Sequence, residues 1–324
     1  MTMSNQGCHS PVARSNAGSV VGFPLIGRMK TSDKQGVLHV LLMGSVCAMC
    51  LVAGLTSKAL ADQTCTPTGD TLACSGDLSS GLLVDPVYTG LTIDNVTSDV
   101  GSVGGVVGLR FDNDGDVTVT SNTGDFAIVG HGTGLSAIHL SSFGDDYGVS
   151  LTQTGNVTSD DGSAVLATSW GNVSVAVTGG VSGKQTAIQA QSLVGGGVTV
   201  VQKGDVISYE GSAIYATAPG AVSVTANGAV TSKQDAIYAN NFGTDAGATV
   251  SVTTTGTIES WGGVGINASS AKNSVLVDSG SSITAKQGGV HANSSGDANG
   301  GSVIVRQHGA ITTSDGAGIY ALST

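Results

Sequence analysis

Residues 204–240 read GDVISYEGSAIYATAPGAVSVTANGAVTSKQDAIYAN and contain one pattern twice. The tripeptide GDV at 204–206 returns as GAV at 228–230, and the tetrapeptide AIYA at 213–216 returns at 236–239. Self-similarity at a fixed period is the signature of a repeat protein and takes precedence over local propensity. We therefore expect the chain to be built from stacked copies of one structural unit.

Three columns of residues recur together along the rest of the chain. A pair of alternating apolar residues opens each unit, a G-x-V or G-x-I element follows, and an apolar residue with a small residue two places later closes it. The second column advances in steps of 24, 25, 24, 28, 25 and 28 residues. Its members are Gly155, Gly179, Gly204, Gly228, Gly256, Ser281 in place of glycine, and Gly309.

The apolar spacing inside each unit is two, which is the period of an extended strand and not of a helix. Three short strands per unit, each followed by Gly, Asn, Asp or Ser turn residues, cannot bury an apolar face within one turn of chain. Stacking the turns places Ile214 over Ile237 at about 4.8 Å, and each strand then pairs in parallel with its copy in the next turn. The sequence predicts an all-β fold, a parallel β-helix (solenoid) of about 24–28-residue coils over residues 105–324.

Residues 1–61 are expected to be an extended leader with a signal peptide. A basic flank precedes the one long apolar run, Val37–Leu55, and a small-x-small exit with Ala59 and Ala61 follows it. These parts predict cleavage before Asp62. The alternative is a retained membrane span, because the run is close to the length that crosses a bilayer.

The mature chain keeps two cysteines, Cys65 and Cys74, in CTPTGDTLAC. Two cysteines at this distance favour a small disulfide loop in an oxidising compartment, and metal binding or redox activity is the alternative. A solenoid must blunt the strand edges at its ends, so we interpret residues 62–104 as an N-terminal cap that contains this loop.

Charge narrows the classes of partner. Of 12 Lys and Arg, five precede Asp62, and of 23 Asp and Glu only Asp33 does, which leaves 7 positive against 22 negative charges. Such a surface argues against binding to nucleic acid or anionic lipid and favours solubility outside the cell.

These features together resemble the N-terminal passenger region of an autotransporter from a Gram-negative bacterium. The resemblance rests on the long leader, on the C-T-P-x-G-x-T-x-x-C-S-G start from Cys65 to Gly76, and on Gly/Ser/Thr/Val/Asn-rich coils with recurrent A-I-x-A. It implies that the β-helix is right-handed and that a C-terminal β-barrel carries it to the cell surface, where adhesion is a frequent function of the family. The chain ends at Thr324 without the alternating strands of such a barrel, so we expect a truncated or split product.

Catalytic and metal motifs are weak in this sequence. Asp112, Asp114 and Asp116 resemble the start of a calcium loop, but the glycine is misplaced for an EF-hand and a solvated turn is the better interpretation. His131, His139, His291 and His308 have no metalloprotease spacing, and no G-x-S-x-G element is present. We expect no cofactor and no catalytic residues.

One outward column is a candidate binding surface. It is the residue between the apolar and the small position of the third strand, which strand alternation turns away from the core. Stacked rings and amides on an exposed face suit carbohydrate or protein recognition, although Tyr and His also simply favour exposed strands. We call this column the ridge; its predicted binding residues are His139, Gln189, Tyr215, Tyr238, Asn267, His291 and Tyr320, with Leu166 between the first two.

The sequence therefore predicts an exported, non-catalytic passenger that binds glycans or host-surface proteins in the manner of an adhesin. A β-helix polysaccharide lyase or hydrolase, or a purely structural stalk, is the alternative, because fold alone does not decide function. We expect display at the cell surface or outer membrane or release from the cell, or a periplasmic location if the barrel is absent. Self-association through the last coil is a further expectation.

Overall fold

The computed structural model describes residues 63–244, 247–295 and 301–324. The predicted signal cleavage site at Ala59, Ala61 and Asp62 lies outside these ranges. All regular secondary structure within them is β-strand. Among these residues no helix has the length and apolar character needed to cross a membrane.

The strands follow one another in three groups along the chain. The first group is β1 (Thr64–Thr68), β2 (Thr71–Gly76), β3 (Leu82–Val84), β4 (Gly90–Val96), β5 (Leu109–Asn113), β6 (Val117–Gly130), β7 (Ile138–Ser142), β8 (Val149–Ser159) and β9 (Val165–Ser169). The second is β10 (Val173–Thr178), β11 (Val181–Gly183), β12 (Ile188–Ser192), β13 (Val198–Lys203), β14 (Val206–Ser208), β15 (Ile214–Ala218), β16 (Val222–Asn227), β17 (Val230–Ser232) and β18 (Ile237–Asn241). The third is β19 (Val250–Thr255), β20 (Thr257–Ser260), β21 (Val264–Ser270), β22 (Val275–Ser279), β23 (Ser282–Ala285), β24 (Gly288–Ser294), β25 (Val303–Gln307), β26 (Ile311–Thr313) and β27 (Ile319–Ser323).

The strands stack in parallel as a β-solenoid of about nine turns with coils of about 26 residues. The first and second strands of each coil form a 17-stranded sheet, and the third strands form a separate 10-stranded sheet. Register follows the sequence repeat: Val198 pairs with Val222, and Ile214 pairs with Ile237. The predicted all-β parallel β-helix is confirmed.

The core consists of thin columns that alternate with the outer surface. In β15 the side chains of Ile214 and Ala216 are fully buried, whereas Tyr215 between them is half-buried on the outside. The same alternation holds in β18 for Ile237 and Ala239. Because each coil is only a few residues wide, Val, Ile and Ala fill most of the interior.

Glutamine also occupies the interior, which the apolar pattern did not predict. Gln153 and Gln202, the fifth residues of β8 and β13, are 1% and 0% exposed. The Gln202 Nε2 donates to the carbonyl oxygen of Gly179 at 2.7 Å and to that of Gly204 at 3.3 Å. The Nε2 atoms of these glutamines thus satisfy carbonyls where the chain turns between two strands, whereas the Oε1 atoms of Gln153 and Gln202 are buried without a hydrogen-bond partner among the described residues.

The glycine column marks that same turn. Gly204 and Gly228 have φ angles of +126° and +145°, which side chains rarely adopt. A Cβ on Gly228 would also meet the carbonyl oxygen of Gly204 in the preceding coil. At Ser281, which stands in this column, φ is not positive, and its hydroxyl donates to Thr254 Oγ1 instead.

The N-terminal segment opens with an antiparallel hairpin. In it β1 pairs with β2, Cys65 lies opposite Cys74, and a disulfide joins them with a Cα–Cα distance of 4.1 Å. Next, β2 pairs in parallel with β4, and β3 with β5. Parallel stacking thus begins inside the segment 62–104, and β1 alone has a different direction within it.

We predict that Ile237→Asp lowers the free energy of unfolding by about 3–5 kcal/mol, because it buries an unpaired carboxylate in the core column. Tyr238→Ser, one residue away and facing outward, should cost only about 0.5–1.5 kcal/mol, the worth of its ring contact. Chemical denaturation followed by far-ultraviolet circular dichroism measures both. If the two variants lose equal free energy of unfolding, the assignment of Ile237 to the inner and Tyr238 to the outer face of β18 is wrong.

We also predict that Gly228→Ala lowers the free energy of unfolding by about 1–3 kcal/mol, because alanine is strained at this φ and meets the preceding coil. The matched control is Gly195→Ala. Gly195 is exposed and a Cβ there has no neighbour within 4 Å, so its change should stay within about 0.5 kcal/mol. If both variants unfold at the wild-type midpoint, the turn does not depend on glycine.

Candidate functional site

The ridge is a continuous column along the outer face of the 10-stranded sheet. Register places each predicted member directly above the previous one, and it adds two residues at the N-terminal end, Leu83 and Arg110. The spacing of the first coils is irregular, so the repeat did not reveal these two. In order, the column is Leu83, Arg110, His139, Leu166, Gln189, Tyr215, Tyr238, Asn267, His291 and Tyr320.

Two aromatic contacts organise the ridge. The rings of Tyr215 and Tyr238 stack with centroids 4.9 Å apart and an interplanar angle of 6°. His291 and Tyr320 meet edge to face, with centroids 5.6 Å apart and an angle of 60°. Because stacking covers one face of each tyrosine with the other, a ligand approaching from solvent meets ring edges and hydroxyl groups rather than an open platform.

A second outward column runs beside the ridge, two residues further along each strand. It consists of hydroxyl and amide side chains, with an acid at its start and Leu322 at its end. Some of these side chains bond within the face: Gln189 Nε2 donates to Gln191 Oε1 at 3.0 Å, and Ser269 Oγ donates to Asn240 Oδ1 at 2.9 Å. The column is Asp112, Ser141, Thr168, Gln191, Thr217, Asn240, Ser269, Asn293 and Leu322.

A groove of about 550 Å³ lies next to the tyrosine pair. Three successive coils contribute to it, because the turn that precedes each third strand projects beside the ridge. Its floor is backbone: a Cβ on Gly211 would collide with the carbonyl oxygen of Gln185. The lining residues are Gln185, Thr186, Glu210, Gly211, Ser212, Tyr215, Gln234, Asp235 and Tyr238.

The amide groups of the groove are held by the backbone. Gln234 Nε2 donates to the carbonyl oxygen of Glu210 at 3.1 Å, and Gln185 Nε2 donates to that of Asp161 at 3.2 Å. Since the nitrogen of each amide faces the preceding coil, its carbonyl oxygen is left to accept hydrogen bonds from elsewhere. The same geometry in two alternate turns, with the turn of Glu210 between them, gives the groove two fixed acceptors.

Asp235 connects the groove to the next coil. Its carboxylate accepts from the backbone N–H of Val264 at 2.8 Å and from the side-chain amide of Asn267 at 2.9 Å. Burial, together with the neighbouring Tyr215 and Asp235, raises the pKa of the Tyr238 hydroxyl above its usual value of 10.0. The phenol therefore stays protonated at neutral pH and remains a hydrogen-bond donor.

The other end of the ridge carries a charged cluster around Asp112. Arg110 Nε lies 2.5 Å from its carboxylate, Ser141 donates to it, and His139 Nε2 is 3.6 Å away. Burial opposes ionisation of Asp112, but the bonds from Ser141 and Arg110 outweigh it and lower its pKa. Burial also lowers the pKa of His139 below 6.5, with Asp112 opposing and Arg110 adding to the effect.

The acidic run that resembled a calcium loop has structural partners. Asp112 belongs to the cluster with Arg110, and Asp116 accepts from the backbone N–H of Gly148 at 2.8 Å. Asn113 closes a local turn by accepting from the N–H of Gly115. Within the described ranges, no three His, Cys, Asp or Glu side chains are grouped so that they could hold a metal ion.

Two corners of the solenoid carry further exposed side chains that the repeat analysis missed. After the third strand, four apolar residues stand near the same corner in different coils, and they are 37–48% exposed. After the second strand, lysines and aromatic residues alternate from coil to coil. The first set is Phe143, Trp170, Leu193 and Phe242; the second is Lys184, Tyr209, Lys233, Trp261 and Lys286. Each of these residues immediately follows the end of its strand. An apolar, aromatic or basic residue that recurs at this position in several repeats is the signal by which the sequence could have revealed the two sets.

No protein-family model, characterised protein or solved structure matches this chain at a significant level. The β-helix fold occurs in enzymes and in non-enzymes. The function therefore has to be argued from the chemistry of the surface.

We predict that His139 makes the protein less stable as the pH falls from about 7 to about 5. Because its folded pKa is lowered, the unfolded state binds the proton first, so stability present above the unfolded pKa of about 6.5 is lost as pH drops. His139→Gln should flatten this part of the melting temperature against pH. The matched control is His308→Gln, whose imidazole is 68% exposed beside Asp278. Parallel curves for wild type and His139→Gln would contradict the prediction.

Proposed function

We propose that this chain is a non-catalytic, exported β-helix that binds glycans at the outer face of its 10-stranded sheet, as an adhesin does. The observation that carries the proposal is the groove beside Tyr215 and Tyr238. Its volume falls within the range of small-ligand sites, and it combines aromatic edges with fixed polar groups. Sugars offer this same combination of C–H faces and many hydroxyls.

The ridge extends the site in a way that suits attachment. Outward residues repeat once per coil, so a polymeric ligand lying along the solenoid axis meets one ridge side chain per step of about 4.8 Å, and all of these except Leu83 and Leu166 are polar or aromatic. Many weak contacts of this kind give a strong total affinity through effective concentration. A surface protein that binds a polysaccharide or a glycosylated host protein needs multivalent binding of this kind.

Export is part of the proposal. The leader features, the excess of acidic residues and the resemblance to autotransporter passengers support delivery to the cell surface or beyond, with a translocating β-barrel as the partner in that step. The Cys65–Cys74 disulfide is consistent with an oxidising compartment.

A β-helix glycoside hydrolase is the competing function, and one observation favours it. Glu210 and Asp235 line the same groove, and hydrolysis of glycosidic bonds usually uses two carboxyl groups. Against it, Asp235 accepts hydrogen bonds from Val264 and Asn267, which gives that carboxylate a role in holding the next coil. We therefore favour binding over turnover.

We predict that changing Tyr215 and Tyr238 together to Ser reduces glycan binding at least about tenfold, because the loss of two ring contacts is worth about 1–2 kcal/mol. A glycan array followed by calorimetry on the strongest ligand measures this. Tyr147→Ser is the control, because this tyrosine is 45% exposed and does not line the groove.

A folded double variant that binds as well as wild type would exclude the groove as the site. Incubation of the wild-type chain with the bound polysaccharide provides the complementary test. Release of reducing ends by wild type, abolished by Glu210→Gln, would replace the binding proposal with the hydrolase.

A further inference from the structure

We propose that the groove beside Tyr215 and Tyr238 selects glycans that carry a free amino group, such as glucosamine residues, over N-acetylated or uronic acid sugars. This inference rests on the proposed function, since it names the class of sugar for the same site. It follows from the imbalance between acceptors and donors on the groove wall and from the charges that surround it.

The groove is rich in hydrogen-bond acceptors. The carbonyl oxygens of Gln185 and Gln234 point away from the backbone groups that hold their nitrogens. The carboxylate of Glu210 accepts no hydrogen bond from a described residue, although its own backbone carbonyl holds Gln234. A ligand that fits this wall must bring donors, and an ammonium group brings three on one atom.

The charges of the groove point the same way. The lining contains two acidic residues, Glu210 and Asp235, and no lysine or arginine. Two lysines immediately precede lining residues, Lys184 before Gln185 and the exposed Lys233 before Gln234, and the ammonium of Lys184 is paired with Asp161. That pairing, with a smaller contribution from Glu210, raises the pKa of Lys184. A uronate would therefore meet negative charge, whereas a protonated amino sugar would find a partner.

Glu210 is the carboxylate that best accounts for such selection. Asp235 is already bonded to Val264 and Asn267, and its removal would disturb the next coil. Glu210 is exposed, immediately precedes Gly211 on the projecting turn, and lines the groove. An ammonium group bound between Glu210 and the amide oxygens would leave the sugar ring against the edges of the tyrosine pair.

The test compares three tetrasaccharides of equal length by calorimetry with the full chain: glucosamine, N-acetylglucosamine and galacturonate. At low salt and about pH 6, where an amine is protonated, we expect glucosamine to bind about two- to fivefold more tightly than its acetylated form. The galacturonate tetramer should bind most weakly. Raising the salt concentration should shrink the preference, because the charges lie at an exposed surface.

Glu210→Gln should bring the affinity ratio between glucosamine and its acetylated form close to one, because the neutral amide no longer attracts the ammonium group. The matched control, Glu259→Gln, makes the same chemical change at the other glutamate of the chain, which lies outside the groove beside Trp261. Equal affinity of wild type for the two forms, or an unchanged ratio in Glu210→Gln, overturns the amino-sugar inference alone. Failure of wild type to bind any sugar overturns the proposed function as well.

Discussion

The backbone hydrogen bonding between successive coils is the constraint on which the rest of this structure depends. Each strand pairs in parallel with its copy one coil earlier and one coil later. The pairing therefore fixes the position of each residue directly above or below its counterpart in the neighbouring coil. Inward positions must fill a narrow interior with Val, Ile, Ala or a hydrogen-bonded glutamine, and the turn after the first strand requires the backbone of Gly204 and Gly228. Outward positions neither fill the interior nor need a special backbone conformation. The stack fixes their spacing and leaves their chemistry to function.

This division explains what the sequence could predict. The period of the G-x-V element gave the register directly, because Val157, Val181, Val206 and Val230 are partners in the sheet. Strand alternation correctly placed Tyr215 and Tyr238 in one outward column. The inward glutamines were missed for a physical reason: a period of two says which side a residue faces, but not whether a carbonyl at the turn needs a donor there.

The groove was beyond sequence reasoning for a different reason. It is assembled by turn residues of three coils, and turn residues do not follow the strand period. Knowing that Glu210 and Gln234 lie on neighbouring turns does not reveal that the amide of one is held by the backbone of the other. The irregular first coils hid Leu83 and Arg110 in the same way, because the ridge could be extended to them only through observed pairing.

The stack also explains why the candidate site lies where it does. In the ridge, adjacent coils carry the same residue only at Tyr215 and Tyr238, so only there do two equal rings lie in register and stack. The turns beside them carry a second feature in alternate coils, a glutamine held by the preceding coil, at Gln185 and Gln234, with Glu210 in the turn between. Two repeated features side by side make a walled groove, whereas a single repeated column makes only a ridge. A solenoid can therefore create a binding site from the outward residues of as few as three coils without altering its core, and this stretch is also where the sequence repeat is strongest.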